Sequence, residues 1–198
     1  LCGGAEACRK ISGAMDAVLS GLHDRARARF RASAPDMSYR IAVVAVGGYG
    51  RRELCPHSDV DLLFLHGYKI DRFIEAMTEW MLYPLWDLGL DVGHSVRNIK
   101  ETIRLAGADD SIRTALLDHR LVTGDDSLYR EAVRELDRFL HFQGGDKFIG
   151  KKIAEMRSRH AKVGSTVYLL EPNVKEGRGG LRDLQTAVWV ARVKYKCD

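Results

Sequence analysis

The chain has 198 residues, 45% of them hydrophobic, enough for one α/β domain or a small domain with a helical appendage. Lys and Arg number 31 against 27 Asp and Glu, and the resulting +4 charge suits an anionic small ligand without the dense basic stripe of a nucleic-acid binder. No run reaches the roughly 18 apolar residues of a membrane span, no leader pattern opens the chain, and Cys2, Cys8, Cys55 and Cys197 have neither Cys-x-x-Cys nor zinc spacing. A reduced, cytoplasmic protein with no membrane and no nucleic acid among its partners is expected.

Residues 4–32 read as a helix, with Ile11, Met15, Val18, Leu19 and Leu22 near helical spacing and Pro35 as its stop. "RIAVVAV" at 40–46 has the apolar, β-branched character of a central strand. Residues 47–58 form a turn rich in Gly and Arg, and 60–65 a second strand. A helix follows over 69–88, with Ile70, Phe73, Ile74, Met77, Trp80 and Met81 facing the core and Pro84 kinking or ending it. Leu90–Val96 is a third, shorter strand. Beyond it the pattern is helical throughout, over 98–106, 109–121, 126–142, 146–163 and 180–196, with Asp126 as an N-cap. This predicts an N-terminal helical segment at 1–39, an α+β core at 40–107 and a helical subdomain at 108–198.

Asp59 and Asp61 sit one residue apart at the head of the second strand, so they point to the same face. Buried carboxylates are costly unless paired or bound to a cation. The bland reading makes Asp59 a turn cap and Asp61 a solvent-facing strand residue. Context favours chemistry instead. Gly47 and Gly48 end the first strand, ten residues separate Gly48 from Asp59, and glycines admit phosphates close to the backbone. Ser58 offers a hydroxyl, and Arg51 and Arg52 offer planar donors for a polyphosphate. The third strand brings Asp91, which joins the cluster if that strand pairs beside the second. Three carboxylates of this kind suit Mg²⁺, and a metal pair is a common clamp for displacement at phosphorus. No P-loop and no Gly-x-Gly-x-x-Gly competes.

A strand, Gly-Gly, ten residues, Asp-x-Asp on a second strand and a lone Asp on a third resembles the polymerase β-type nucleotidyltransferases. Within them, "VGGYGRRELCPHSDVDLLFL", "GLDVGHSVR" and "LEPNVKEGRGGLRDLQTAVWVARVKY" resemble the N-terminal part of the bacterial PII uridylyltransferases. The resemblance implies a polymerase β-like fold, a small mixed sheet with flanking helices, followed by a helical subdomain. It implies transfer of UMP from UTP to a tyrosine hydroxyl of the PII signal protein, with pyrophosphate leaving. Asp59, Asp61 and Asp91 would hold two Mg²⁺ (or Mn²⁺), Asp91 would help take the hydroxyl proton, and Gly47, Gly48 and Ser58 would hold the triphosphate. Family members continue into an HD-type hydrolase domain and two ACT domains, so neither UMP removal nor glutamine sensing is expected of this stretch. The competing reading is a non-catalytic, regulatory nucleotide-binding domain of the same fold.

The second glycine-rich segment, "EPNVKEGRGGLRDLQ", precedes an amphipathic helix whose face is read as Leu181, Leu184, Val188 and Ala191. Helix N-termini attract anions, so Asn173, Lys175 and Arg182 are candidate UTP contacts. Equally, the glycines only let the chain turn while Arg182 and Asp183 form a surface pair. His57 and His94 read as structural neighbours of the acidic residues. Trp80, Trp86 and Trp189 read as core, and Cys55 has no His partner to make it a nucleophile.

Overall fold

The computed structural model describes residues 3–33, 40–67, 72–163 and 173–196. Pro35 and Ile70 fall outside that range. Its elements are α1 (Gly4–Ser33), β1 (Ile41–Ala45), α2 (Gly47–Gly50), β2 (Val60–His66), α3 (Arg72–Asp87), β3 (Val92–Arg97), α4 (Ile99–Ala108), α5 (Asp110–Leu117), β4 (Arg120–Gly124), α6 (Asp126–Phe142), α7 (Gly145–Val163) and α8 (Leu181–Tyr195). Among the described residues no helix is long and apolar enough to cross a membrane.

Four strands form one mixed sheet in the order β3-β2-β1-β4. β1 is antiparallel to β2, from Ile41 opposite His66 to Ala45 opposite Leu62. β2 and β3 are parallel, joined by α3, with Val60 opposite Val92. β1 is buried at every position because both faces of the sheet are covered. On one face Val43, Ala45, Leu62 and Phe64 pack with Leu19 and Ala26 of α1 and with Met77, Met81 and Leu85 of α3. On the other, Val44, Leu63 and Leu65 line an apolar pocket with Ile99, Leu116, Ala132 and Leu136. The expected α+β class, a small mixed sheet with flanking helices, is borne out.

Several expectations need correction. The helix predicted over 109–121 ends at Leu117, and Arg120–Gly124 becomes β4, antiparallel to β1 with an irregularity between Val43 and Val44. The run Leu121-Val122-Thr123 suits a strand. Gly124 closes it at φ +103°, where an added Cβ would stand 2.4 Å from Ile41 O. The described chain forms two compact units, Leu1–Leu136 and Asp137–Asp198, with β4 and the rest of the sheet in the first. Last, the cap of α6 is Asp125, whose Oδ1 accepts from Leu128 N at 2.8 Å, whereas Asp126 pairs with Arg130 on the exposed helix surface.

In the second unit α7 packs against α8. The packed face of α8 carries Thr186, Trp189 and Val193, whereas Leu181, Leu184 and Val188 are exposed, the reverse of the sequence reading. Trp189 wins the buried place because it offers the largest apolar surface on the helix. Trp86, expected in the core, is 40% exposed and meets Tyr83 and His94 edge-on.

Candidate nucleotidyl-transfer site

The parallel pairing of β2 with β3 gathers the carboxylates. Val60 N–H donates to Asp91 O at 2.8 Å, so Asp59 and Asp91 lie side by side just ahead of their strands. Asp61 follows on the face that Asp59 shares, opposite Gly93. The three expected acids therefore meet at one corner of the sheet. Burial, then the charges of Asp59 and Asp91, push the Asp61 carboxyl above its ordinary value. That shift is the electrostatic signature of a site that a cation would relieve.

Two glycines make room for Asp61. A Cβ on Gly93 would stand 2.6 Å from Asp61 Oδ1, and one on Gly47 would stand 3.2 Å from Oδ2. Gly47 also has φ +58°, which L-residues rarely adopt. Gly47 was expected to face phosphate; here it flanks a carboxylate. Gly93 was missed, although "DVG" two residues past Asp91 carried the signal once parallel register is assumed. Among the described residues no three His, Cys, Asp or Glu side chains converge closely enough to hold a metal ion by themselves. The acids frame an open corner of hard oxygen donors, chemically suited to Mg²⁺, which binds few protein ligands and keeps water or phosphate in its shell.

The turn after β1 is held by polar groups that no motif announced. Gly47–Gly50 forms a single helical turn. The buried Tyr49 donates its hydroxyl to Asp16 Oδ1 at 2.6 Å, and Arg120 donates to both oxygens of Asp16 at 2.9 and 3.0 Å. Burial, then the hydrogen bond to Asp16, keeps the Tyr49 phenol protonated. Gly50 abuts Asp118 so closely that a Cβ would overlap the Asp118 carbonyl oxygen. Arg51, expected to bind phosphate, donates instead to the fully buried Asp118 carboxylate at 2.5 Å and to Glu53 at 2.7 Å. Its guanidinium serves as an internal tie. Arg52 is half exposed, with Asp16 3.8 Å away, and Gly48 is open, its added Cβ meeting only Arg51 Nη2 at 3.9 Å. Ser58 Oγ accepts from Cys55 N–H at 3.3 Å and keeps its own O–H to donate. His57 is exposed at φ +64°.

Asn173, Lys175 and Arg182 lie in the second unit. Asn173 Oδ1 accepts from the N–H groups of Lys175 and Glu176 at 3.1 and 2.8 Å, a turn built on the side chain. Arg182 reaches Gln185 at 3.1 Å and Glu176 at 3.5 Å, over the Trp189 ring. Asp183, read as a surface partner of Arg182, instead accepts from Gly179 N–H at 2.8 Å and meets His160 at 2.8 Å and Arg159. Burial opposes its ionisation, but these donors outweigh it and hold the carboxyl below its ordinary value. The glycine turn is thus pinned to α7 by one acid.

A family model described as GlnD PII-uridylyltransferase matches residues 147–198. Over nearly the whole sequence the chain is similar to bifunctional uridylyltransferase/uridylyl-removing enzymes. That of Phenylobacterium zucineum is 46% identical over 191 residues, 96% of this chain and 20% of the relative. That of Azospirillum brasilense is 49% identical over 156 residues, 79% of this chain and 17% of the relative. That of Rhodopseudomonas palustris is 42% identical over 194 residues, 98% and 21% respectively. The chain spans about a fifth of the length of these relatives. A solved structure titled as a toxin-antitoxin with AMP-PNP matches at 14% identity and TM-score 0.37, over 66% of this chain and 97% of that one, too slight a likeness to argue from.

Proposed function

We propose that this chain, which belongs by sequence to the PII uridylyltransferase family, transfers UMP from UTP to a tyrosine hydroxyl of a PII signal protein, releasing pyrophosphate. The relatives' names supply the reaction class. The observation that carries the reading is the Asp61 carboxylate, set between Gly47 and Gly93 with Asp59 and Asp91 crowding its charge. A corner this acidic has no structural purpose on its own, because like charges brought together cost stability.

Asp59, Asp61 and Asp91 would hold Mg²⁺, which when bound neutralises triphosphate charge and polarises the α-phosphate. Asp91, which is exposed, would accept the tyrosine proton. Gly48, with space above its Cα, admits phosphate oxygens to the backbone. The Ser58 hydroxyl and the half-exposed Arg52 donate to the same anion. Arg51 keeps the turn in place through Asp118.

Labelled UTP or ATP, Mg²⁺ and PII protein are incubated with the chain. Label on PII from UTP, lost in Asp59→Asn and Asp61→Asn variants that still melt cooperatively, is the expected result. Transfer that persists in both variants, or label from ATP alone, overturns the reading.

A further inference from the structure

Two of the four thiols meet at the edge of the first unit. Cys8 Sγ and Cys55 Sγ are 3.2 Å apart, although 47 residues separate them in sequence. Cys8 is in the early part of α1, and Cys55 is in the turn between α2 and β2. Cys55 is exposed and Cys8 partly so. Their backbones are fixed independently of the thiols. The fully buried Ser12 donates to Cys8 O at 2.8 Å and accepts from Leu54 N–H at 3.3 Å, a single hydroxyl that ties the Cys8 turn of α1 to the residue before Cys55. On its other side Cys55 is held by Ser58, through Cys55 N–H to Ser58 Oγ and Ser58 N–H to Cys55 O at 3.1 Å.

We infer that Cys8 and Cys55 form a thiol pair that closes to a disulfide with a low-molecular-weight disulfide as oxidant, stapling α1 to the turn that leads into Asp59. A bond needs the sulfurs at about 2.05 Å, a small side-chain movement from 3.2 Å. Cys55, the more exposed, attacks one sulfur of the oxidant R–S–S–R and expels one thiolate. Cys8 then attacks Cys55 Sγ and expels the second. Two S–H bonds and one S–S bond are lost, one S–S bond forms within the protein, and both protons end on the two R–SH released. The hydrogen bond to Cys55, then partial desolvation, raises the Cys8 thiol above its ordinary value. That hold is relaxed once Cys55 is a mixed disulfide, so the second step follows the first.

The inference is independent of the proposed transfer, and its test does not use activity. A Cys2→Ser chain, which leaves one cysteine in the N-terminal tryptic peptide, is treated with oxidised glutathione and its thiols are counted in denaturant. The Cys8 and Cys55 thiols are lost together, neither retains glutathione, and the peptides that carry them are recovered joined until dithiothreitol parts them, whatever Cys197 does. A Cys8→Ser chain that keeps Cys2 instead retains glutathione on Cys55. Free thiols at both Cys8 and Cys55, glutathione retained on either of them in the Cys2→Ser chain, or a joint from Cys55 to Cys197 would each overturn the pairing.

Discussion

Gly93→Ala tests the cradle directly. The added Cβ would lie 2.6 Å from Asp61 Oδ1. A carbon and an oxygen are comfortable at about 3.3 Å, so the carboxylate must retreat by roughly 0.7 Å. One way out lies toward Gly47, which also lacks a Cβ. The displacement is a swing of a short side chain, so stability should fall by less than about 1 kcal/mol. Catalysis should suffer more. A misplacement of about 1 Å costs on the order of 100-fold, so 0.7 Å predicts a kcat lower by roughly 10- to 100-fold, or about 1.4–2.7 kcal/mol of barrier. Gly48→Ala is the internal comparison. Its Cβ has space in the free protein, 3.9 Å from its nearest neighbour, Arg51 Nη2. It should therefore raise KM for UTP while leaving kcat within about twofold. Initial rates of labelled UMP transfer to PII, with Tm beside them, separate the two signatures. A Gly93→Ala chain with kcat within about twofold of the parent and an unchanged Tm would refute the claim that Asp61 is held by absence of side chains.

Asp61→Asn should stabilise the metal-free chain while destroying transfer. Asp61 is pushed above its ordinary 3.8 by burial and by Asp59 and Asp91, so its protonated form is favoured by folding; that stability is present below 3.8 and lost as pH rises through the higher folded value. Tm of Asp61→Asn should therefore exceed the parent's at pH 7 and match it at pH 3, and Mg²⁺ should raise Tm of the parent only; equal Tm values at pH 7 would remove the electrostatic argument. Asp118→Ala removes the buried carboxylate that accepts from Arg51. A loss of about 3 kcal/mol is expected, read as a Tm drop of about 6–12 °C for a chain of this size, and a drop below about 2 °C would mean that Arg51 finds full compensation.

Local rules carried far along this chain. The apolar, β-branched runs at 40–46 and 60–65 read as strands and are found as β1 and β2, and helical spacing from Ile11 to Leu22 placed α1. Asp59, Asp61 and Asp91 stood out because ionisable residues at strand heads are expensive, and that cost is written in residue type and period alone. Periodicity failed where two structures compete for one short segment. The predicted helix ran on to Leu121, and pairing with β1, with Gly124 close against Ile41, made Arg120–Gly124 β4 instead. It failed again on α8, where both faces carry apolar residues and the choice fell to what α7 could cover.

The sequence by itself determined which residues bear charge at the strand heads, since period and composition are local properties. The tertiary structure alone decided how they are held. Parallel register set Gly93 beside Asp61, and distant Asp16, Asp118 and Arg120 came to grip the turn through Tyr49 and Arg51. Such contacts join residues up to 104 positions apart. No periodicity encodes them, because a buried carboxylate is stabilised by whichever donor the fold brings to it.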